Sequence, residues 1–176
     1  AKFDDSDWLM AGVYTKSSLG IGDIIAQDYE PIKNNITLSP IEVTEPEDGV
    51  FIYDFGQNMA GIPRIKITGD KGTTIRVRYG EMLNLKDMVN GDGEEGTLYT
   101  ENLHAALNTD YYTLKGDPNG ETFEPSFVYR GFRYMEITGI DQAIPLDDIQ
   151  GLVFYSALEE TGTFESSNEL VNKLYQ

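Results

Sequence analysis

Residues 63–79, PRIKITGDKGTTIRVRY, carry the pattern on which the fold turns. Ile75, Val77 and Tyr79 alternate with Arg76 and Arg78, and before them Pro63, Ile65 and Ile67 alternate with Arg64, Lys66 and Thr68. A two-residue period sends one set of side chains to each face of an extended chain, so both runs read as half-buried antiparallel strands. Gly69-Asp70-Lys71-Gly72 is a short glycine-bounded turn, and the two runs are expected to pair as a hairpin. Pro63 is expected to open its strand near a sheet edge, where a missing N–H is tolerated best.

Working outward, similar runs occur at Val50-Phe51-Ile52-Tyr53, Asp110 to Lys115, Gly131 to Thr138 and Gly151 to Ser156. Turn clusters such as Glu47-Asp48-Gly49 and Gly116-Asp117-Pro118-Asn119-Gly120 separate them. Short strands at this spacing read as an all-β sandwich or barrel, and the expected class is an antiparallel β-sandwich of jelly-roll type with the start of a helix at the C-terminal end. The sandwich is expected over residues 31–158. Residues 1–30, acidic and weakly periodic, read as the tail of a preceding module and a linker. Residues 159–176 read as a linker and a helix start, with Ser166 and Glu169 fitting a capping box and Leu170 with Leu174 opening an apolar stripe. A helix of under three turns is marginal alone, so the chain is expected to be cut from a longer protein.

Between two strand-like runs lies Phe55-Gly56-Gln57-Asn58, a polar stretch that could be a site or a corner. The corner reading has Phe55 closing the core, Gly56 and Gly61 supplying backbone freedom, and Gln57 and Asn58 satisfying exposed backbone groups.

The totals narrow the function classes. In 176 residues, 40% are hydrophobic, and thirteen basic against thirty acidic residues give a formal net charge of −17. That balance opposes attraction to nucleic-acid phosphates and anionic membranes, so neither is an expected partner. Cysteine is absent, which removes disulfides and thiolate zinc sites without naming a compartment. No P-loop lysine motif occurs, and no cofactor is expected.

Glycoside hydrolysis needs two carboxyl groups roughly 5 to 9.5 Å apart. Glu81, Glu94, Glu95 and Glu101 cluster around a long loop, but their spacing singles out no pair, and the acids read as solvated faces. Asp87 to Glu95 is rich in hard oxygen ligands, yet the EF-hand pattern places Met88 where a carboxylate is required. It reads as a plain hairpin tip rather than a calcium loop. His104 is the only histidine, and no serine stands in a G-x-S-x-G elbow. Tyr129-Arg130-Gly131-Phe132-Arg133-Tyr134 could stack on a sugar face and bind its hydroxyls, or fill a core while its arginines pair with acids.

Four blocks, YDFGQNMAG, GTLYTENLHAALNTDYYTLKG, YRGFRYMEITG and TGTFESSNELVNKLYQ, resemble the bacterial α-L-rhamnosidases of glycoside hydrolase family 78. Their order is similar to the β-sandwich module that precedes the catalytic domain, and FDDSDW at residues 3–8 resembles the end of the module before it. The family often has Trp after the Ala-Gly of the first block, where this chain has Ile62-Pro63, and His where it has Arg130. The resemblance implies that the catalytic carboxylates belong to a following α/α toroid, the partner of this domain, and that no residue here is catalytic. The parent would hydrolyse terminal α-L-rhamnose. The alternative is an autonomous module binding rhamnose-containing carbohydrate through Trp8, Tyr99, Tyr129 or Tyr134. Gln57, Asn58, Tyr129, Arg130 and Arg133 are the candidates for binding or for the domain interface.

Overall fold

The computed structural model describes residues 3–175 and resolves ten strands. In chain order they are β1 (Ile32–Leu38), β2 (Glu42–Glu47), β3 (Val50–Ile67), β4 (Thr74–Gly80), β5 (Met82–Leu83), β6 (Leu98–Tyr99), β7 (Thr109–Thr113), β8 (Glu121–Phe123), β9 (Arg130–Thr138) and β10 (Ile149–Ser156). Two short helices, α1 (Lys16–Leu19) and α2 (Glu169–Tyr175), lie outside the strands. The all-β expectation holds, and every pairing is antiparallel.

β3 is the spine. Its first half pairs with β2 on one side and β9 on the other, while its second half pairs with β10 and β8. β4 lies beyond β9 and β7 beyond β4, and β1 closes the opposite edge against β10. A sheet built this way curls over one core. Phe51, Tyr53 and Phe55 from the first half of β3 share that core with Ile65 and Ile67 from the second, with Ile75, Val77 and Tyr79 of β4, and with Phe132, Met135 and Ile137 of β9. The alternation at 74–79 therefore sorts its faces as expected, with Arg76 and Arg78 outward.

The expected hairpin does not form. β9 separates β3 from β4, and the turn at 69–72 carries the chain across to a different part of the sheet. Both runs aim their apolar residues at the same core, a pattern that two facing strands produce as readily as two neighbours. The turn is fastened instead to the end of β7, where Gly72 N–H donates to Leu114 O at 2.8 Å and Leu114 N–H to Thr73 O at 2.8 Å.

Pro63 also differs from expectation, since it lies within β3 opposite Gly151 rather than at a strand start. On its other side β8 stops opposite Ile65 and β9 starts opposite Gly61, so Pro63 borders a strand on one side only. The capping box is replaced as well. Asn168 caps α2, its Oδ1 accepting from Leu170 N–H at 3.0 Å and Val171 N–H at 3.4 Å, while the Ser166 hydroxyl is taken up with Asn172 Oδ1 at 2.9 Å. Asx side chains reach first-turn donors well, which moves the helix start two residues downstream.

Tyr53 shows how the core holds its loops. Its hydroxyl donates to Ile144 O at 3.0 Å and accepts from Ile144 N–H at 2.7 Å, and burial pushes its pKa up to about 12. No helix among the described residues is long and apolar enough to cross a membrane.

Candidate functional site

Three of the sequence blocks converge where β3 bends. Residues 54–58 stay within β3, but the register against β9 slips between Asp54 and Met59, which makes the stretch a bulge inside one strand rather than a turn between two. Gly56 has φ +74°, a left-handed conformation that side chains disfavour. Asp54 fixes it, accepting from Gly56 N–H at 2.6 Å. Phe55 is buried under the bend and meets Phe132 edge-on, with ring centres 5.5 Å apart.

The same Asp54 receives the Arg133 fork, Nε to Oδ1 at 2.8 Å and Nη2 to Oδ2 at 2.7 Å. Two parallel charge-assisted bonds make this the strong form of the pair. The Arg133 hydrogen bond, foremost, holds the Asp54 carboxyl below its ordinary pKa, and the same bond raises that of Arg133. Arg133 also covers the Tyr134 ring at 4.9 Å. Arg130 is held by a single bond to its carboxylate: its Nη2 lies 2.6 Å from Asp110 Oδ1, and its guanidinium sits 5.8 Å from the centre of the Tyr79 ring, whose hydroxyl donates to Asp110 Oδ2 at 2.8 Å. Burial, then the Asp110 charge, raises the Tyr79 pKa well above its usual value.

Asn58 and Asn102 meet on one carboxylate. Asn58 Nδ2 donates to Glu81 Oε1 at 2.9 Å and Asn102 Nδ2 to Glu81 Oε2 at 3.5 Å. FGQN, the Tyr-Gly-Glu end of β4 and the Thr-Glu-Asn block thus share a polar knot, which Gly131 borders in the space nearest Glu81. Gln57, Asn58 and Tyr129 are exposed, and Phe127, with φ +61°, projects fully into solvent beside Tyr129 in sequence.

Some expected details change. Asn58 satisfies the Glu81 side chain rather than backbone groups. Gly61 has no left-handed φ; a Cβ there would overlap the Leu152 carbonyl oxygen, so close approach to β10 is what demands glycine. Glu81, Asp54 and Asp110 were not singled out as the anchors of this region by sequence. Asp54 adjoins the bend, which was a usable signal, but nothing in the sequence says which of thirty acids meets which arginine.

The loop after β5 is closed on itself. Asn84 is buried and donates to Asp92 Oδ1 at 2.9 Å, while Asp92 Oδ2 accepts from Thr100 N–H at 2.9 Å and from the Thr100 hydroxyl at 2.6 Å. Burial raises the Asp92 pKa, but the hydrogen bonds from Thr100 and Asn84 outweigh it and the net shift is downward. Among the described residues no group of three or more His, Cys, Asp or Glu is placed to hold a metal.

A curled antiparallel sandwich whose bend is locked by paired polar residues is a concanavalin-like β-sandwich in class. The family model of the bacterial alpha-L-rhamnosidase concanavalin-like domain matches residues 44–155, and the chain belongs to that family. An alpha-L-rhamnosidase of Streptomyces avermitilis is 40% identical over 173 residues, 98% of this chain and 16% of its own length. The structure of the alpha-L-rhamnosidase from Dictyoglumus thermophilum superposes with a TM-score of 0.81 at 40% identity, covering 98% of this chain and 18% of that one. The Streptomyces avermitilis enzyme complexed with L-rhamnose gives a TM-score of 0.76 at 41% identity, over 86% of this chain and 14% of that one. The chain therefore spans under a fifth of the length of these relatives.

Proposed function

We infer that this chain is the non-catalytic β-sandwich of a longer α-L-rhamnosidase, packed against and supporting a catalytic α/α domain, and that the parent hydrolyses terminal non-reducing α-L-rhamnose from glycosides. One observation carries the non-catalytic reading. The chain matches the concanavalin-like domain over residues 44–155 and spans only 16% of the Streptomyces avermitilis relative, so most of that enzyme's length has no counterpart in it.

The division into residues 1–30, 31–158 and 159–176 is part of the same proposal. It is supported by the sandwich's own edge, where β1 pairs with β10 and Ala157 N–H donates to Pro31 O at 3.0 Å. Segments before residue 31 and after residue 157 thus leave the sandwich side by side, and both carry exposed apolar residues, Trp8 and Ile24 on one and Leu170 and Leu174 on the other. Gln57 and Asn58 at the bend are exposed, as are Phe127 and Tyr129 just before β9, and these residues are further surface suited to a neighbouring domain.

The test is to incubate the purified chain with an aryl α-L-rhamnoside. No hydrolysis above the blank is expected. Turnover that disappears when a single carboxylate is changed to its amide overturns the proposal. The exposure of Trp8 and Tyr129 favours a second reading, an autonomous module for rhamnose-containing carbohydrate, and calorimetry with rhamnose separates the two.

A further inference from the structure

We propose that the hollow walled by Arg76, Arg78 and Tyr111 is a binding site for a carboxylate-bearing sugar. It lies on the face of β9, β4 and β7 that carries Arg76 and Arg78, and the turn that walls it also supplies Asn102 to the polar knot at the bend. Register builds it: Arg76 stands between Tyr111 and Thr138, and Arg78 between Thr109 and Glu136. Directly opposed residues of antiparallel strands share a face, so these side chains form one grid two residues long and three strands wide. The loop around the helical turn Glu101–Leu103 walls it, with Glu101 and His104 lining the hollow, whose volume is about 670 Å³. That size suits one or two sugar rings.

The charge pattern selects the ligand. In the other described ion pairs each arginine has its own carboxylate, Arg64 with Glu124, Arg130 with Asp110 and Arg133 with Asp54. Arg76 and Arg78 instead share a single oxygen of buried Glu136, Arg76 Nη2 at 3.0 Å and Arg78 Nη1 at 3.4 Å. Two guanidiniums on one buried anion leave an excess positive charge within the grid, and the pair stays partly exposed, at 40% and 28%. Glu101 also faces the hollow, but it is exposed and its charge is better screened by solvent than that of half-buried Arg78. Arg78 bonds Glu136 through Nη1 alone, which leaves its Nε and Nη2 as donors of the kind that carboxylates accept in bidentate fashion, while Arg76 Nε is buried. Tyr111, 69% exposed beside Arg76, supplies the flat apolar face on which a sugar ring stacks. Arginine with an open tyrosine favours an acidic sugar over a simple anion, which has no ring to stack, and over a neutral sugar, which leaves the excess charge unanswered.

Titration of the 176-residue chain with methyl glucuronide and methyl galacturonide, each against its neutral glycoside, tests this. Saturable binding of a uronide about tenfold tighter than its neutral partner is expected, the scale of one charge-assisted contact. Arg78→Gln should abolish that preference, and Tyr111→Ala, an exposed site that the fold does not depend on, should weaken uronide binding in a folded protein. No saturable binding of either uronide, equal binding of acid and neutral sugars, or binding indifferent to Tyr111→Ala overturns the proposal. The result is independent of whether the chain hydrolyses a rhamnoside, so the two proposals fail separately.

Discussion

Two glycine-bounded polar stretches interrupt the apolar alternation of this chain, Asp54 to Asn58 and Thr68 to Gly72, and they do opposite things. The first leaves the strand running: β3 passes through it as a bulge, fixed by Asp54 on Gly56 and Arg133, with Phe55 buried beneath. The second ends the strand and sends the chain across the sheet, its glycine at φ +93° and its backbone fastened to Leu114. Turn chemistry alone does not separate these outcomes. Long-range partners do, because the bend lies next to an arginine from β9 and the turn bonds the backbone of Leu114 just past the end of β7.

The comparison breaks most readily at Phe132. This ring is fully buried and touches both Phe55 of the bend and Tyr79 of the strand beyond the turn, with centres 5.5 and 5.1 Å away. Phe132→Ala should cost about 3–5 kcal/mol in urea unfolding, the usual toll of an aromatic cavity. A loss under about 1 kcal/mol would mean that the two regions do not share a core.

Asp54→Ala comes next, at about 2–3 kcal/mol, because it leaves a charged fork and the Gly56 N–H without their acceptor. The pH dependence follows from the sign of the shift. Asp54 has a folded pKa below its unfolded one, so its contribution is complete above the unfolded value of about 3.9 and is lost as pH falls through the lower folded value. The variant should therefore show a shallower acid limb in a stability-against-pH series than the parent chain. An unchanged limb would remove Asp54 from the acid response.

The glycines give the smallest and sharpest contrast. Gly72→Ala meets open space and should cost about 1 kcal/mol from its left-handed backbone alone. Gly56→Ala carries the same strain and also presses on Ile41 Cδ1 at 3.1 Å, so its thermal midpoint should fall further. Equal midpoints would show that the bend relaxes as freely as the turn.

Much of this was legible in the sequence. The alternation of Ile75, Val77 and Tyr79 gave β4 with its faces correctly sorted, and the runs near 110, 131 and 151 became β7, β9 and β10. Strand period is a local property, and it survives folding. Pairing order is not local, which is why PRIKITGDKGTTIRVRY reads as a hairpin although β9 lies between its halves. The candidate site was legible in part for the same reason. Asn58, Arg130 and Arg133 were visible as residue types in distinctive blocks, whereas their anchors Glu81, Asp110 and Asp54 were three acids among thirty. The grid of Arg76, Arg78 and Tyr111 needed the register of three strands before it could be seen at all.

A double-mutant cycle on Asp54 and Arg133 tests most directly that the bend is a structural joint locked by one ion pair. Unfolding free energies of Asp54→Ala, Arg133→Ala and the double variant should reveal a coupling of at least about 1 kcal/mol, with the double variant little worse than the poorer single one. Additive losses would contradict it, showing that the two residues stabilise the sandwich independently and that the bend is held by something else.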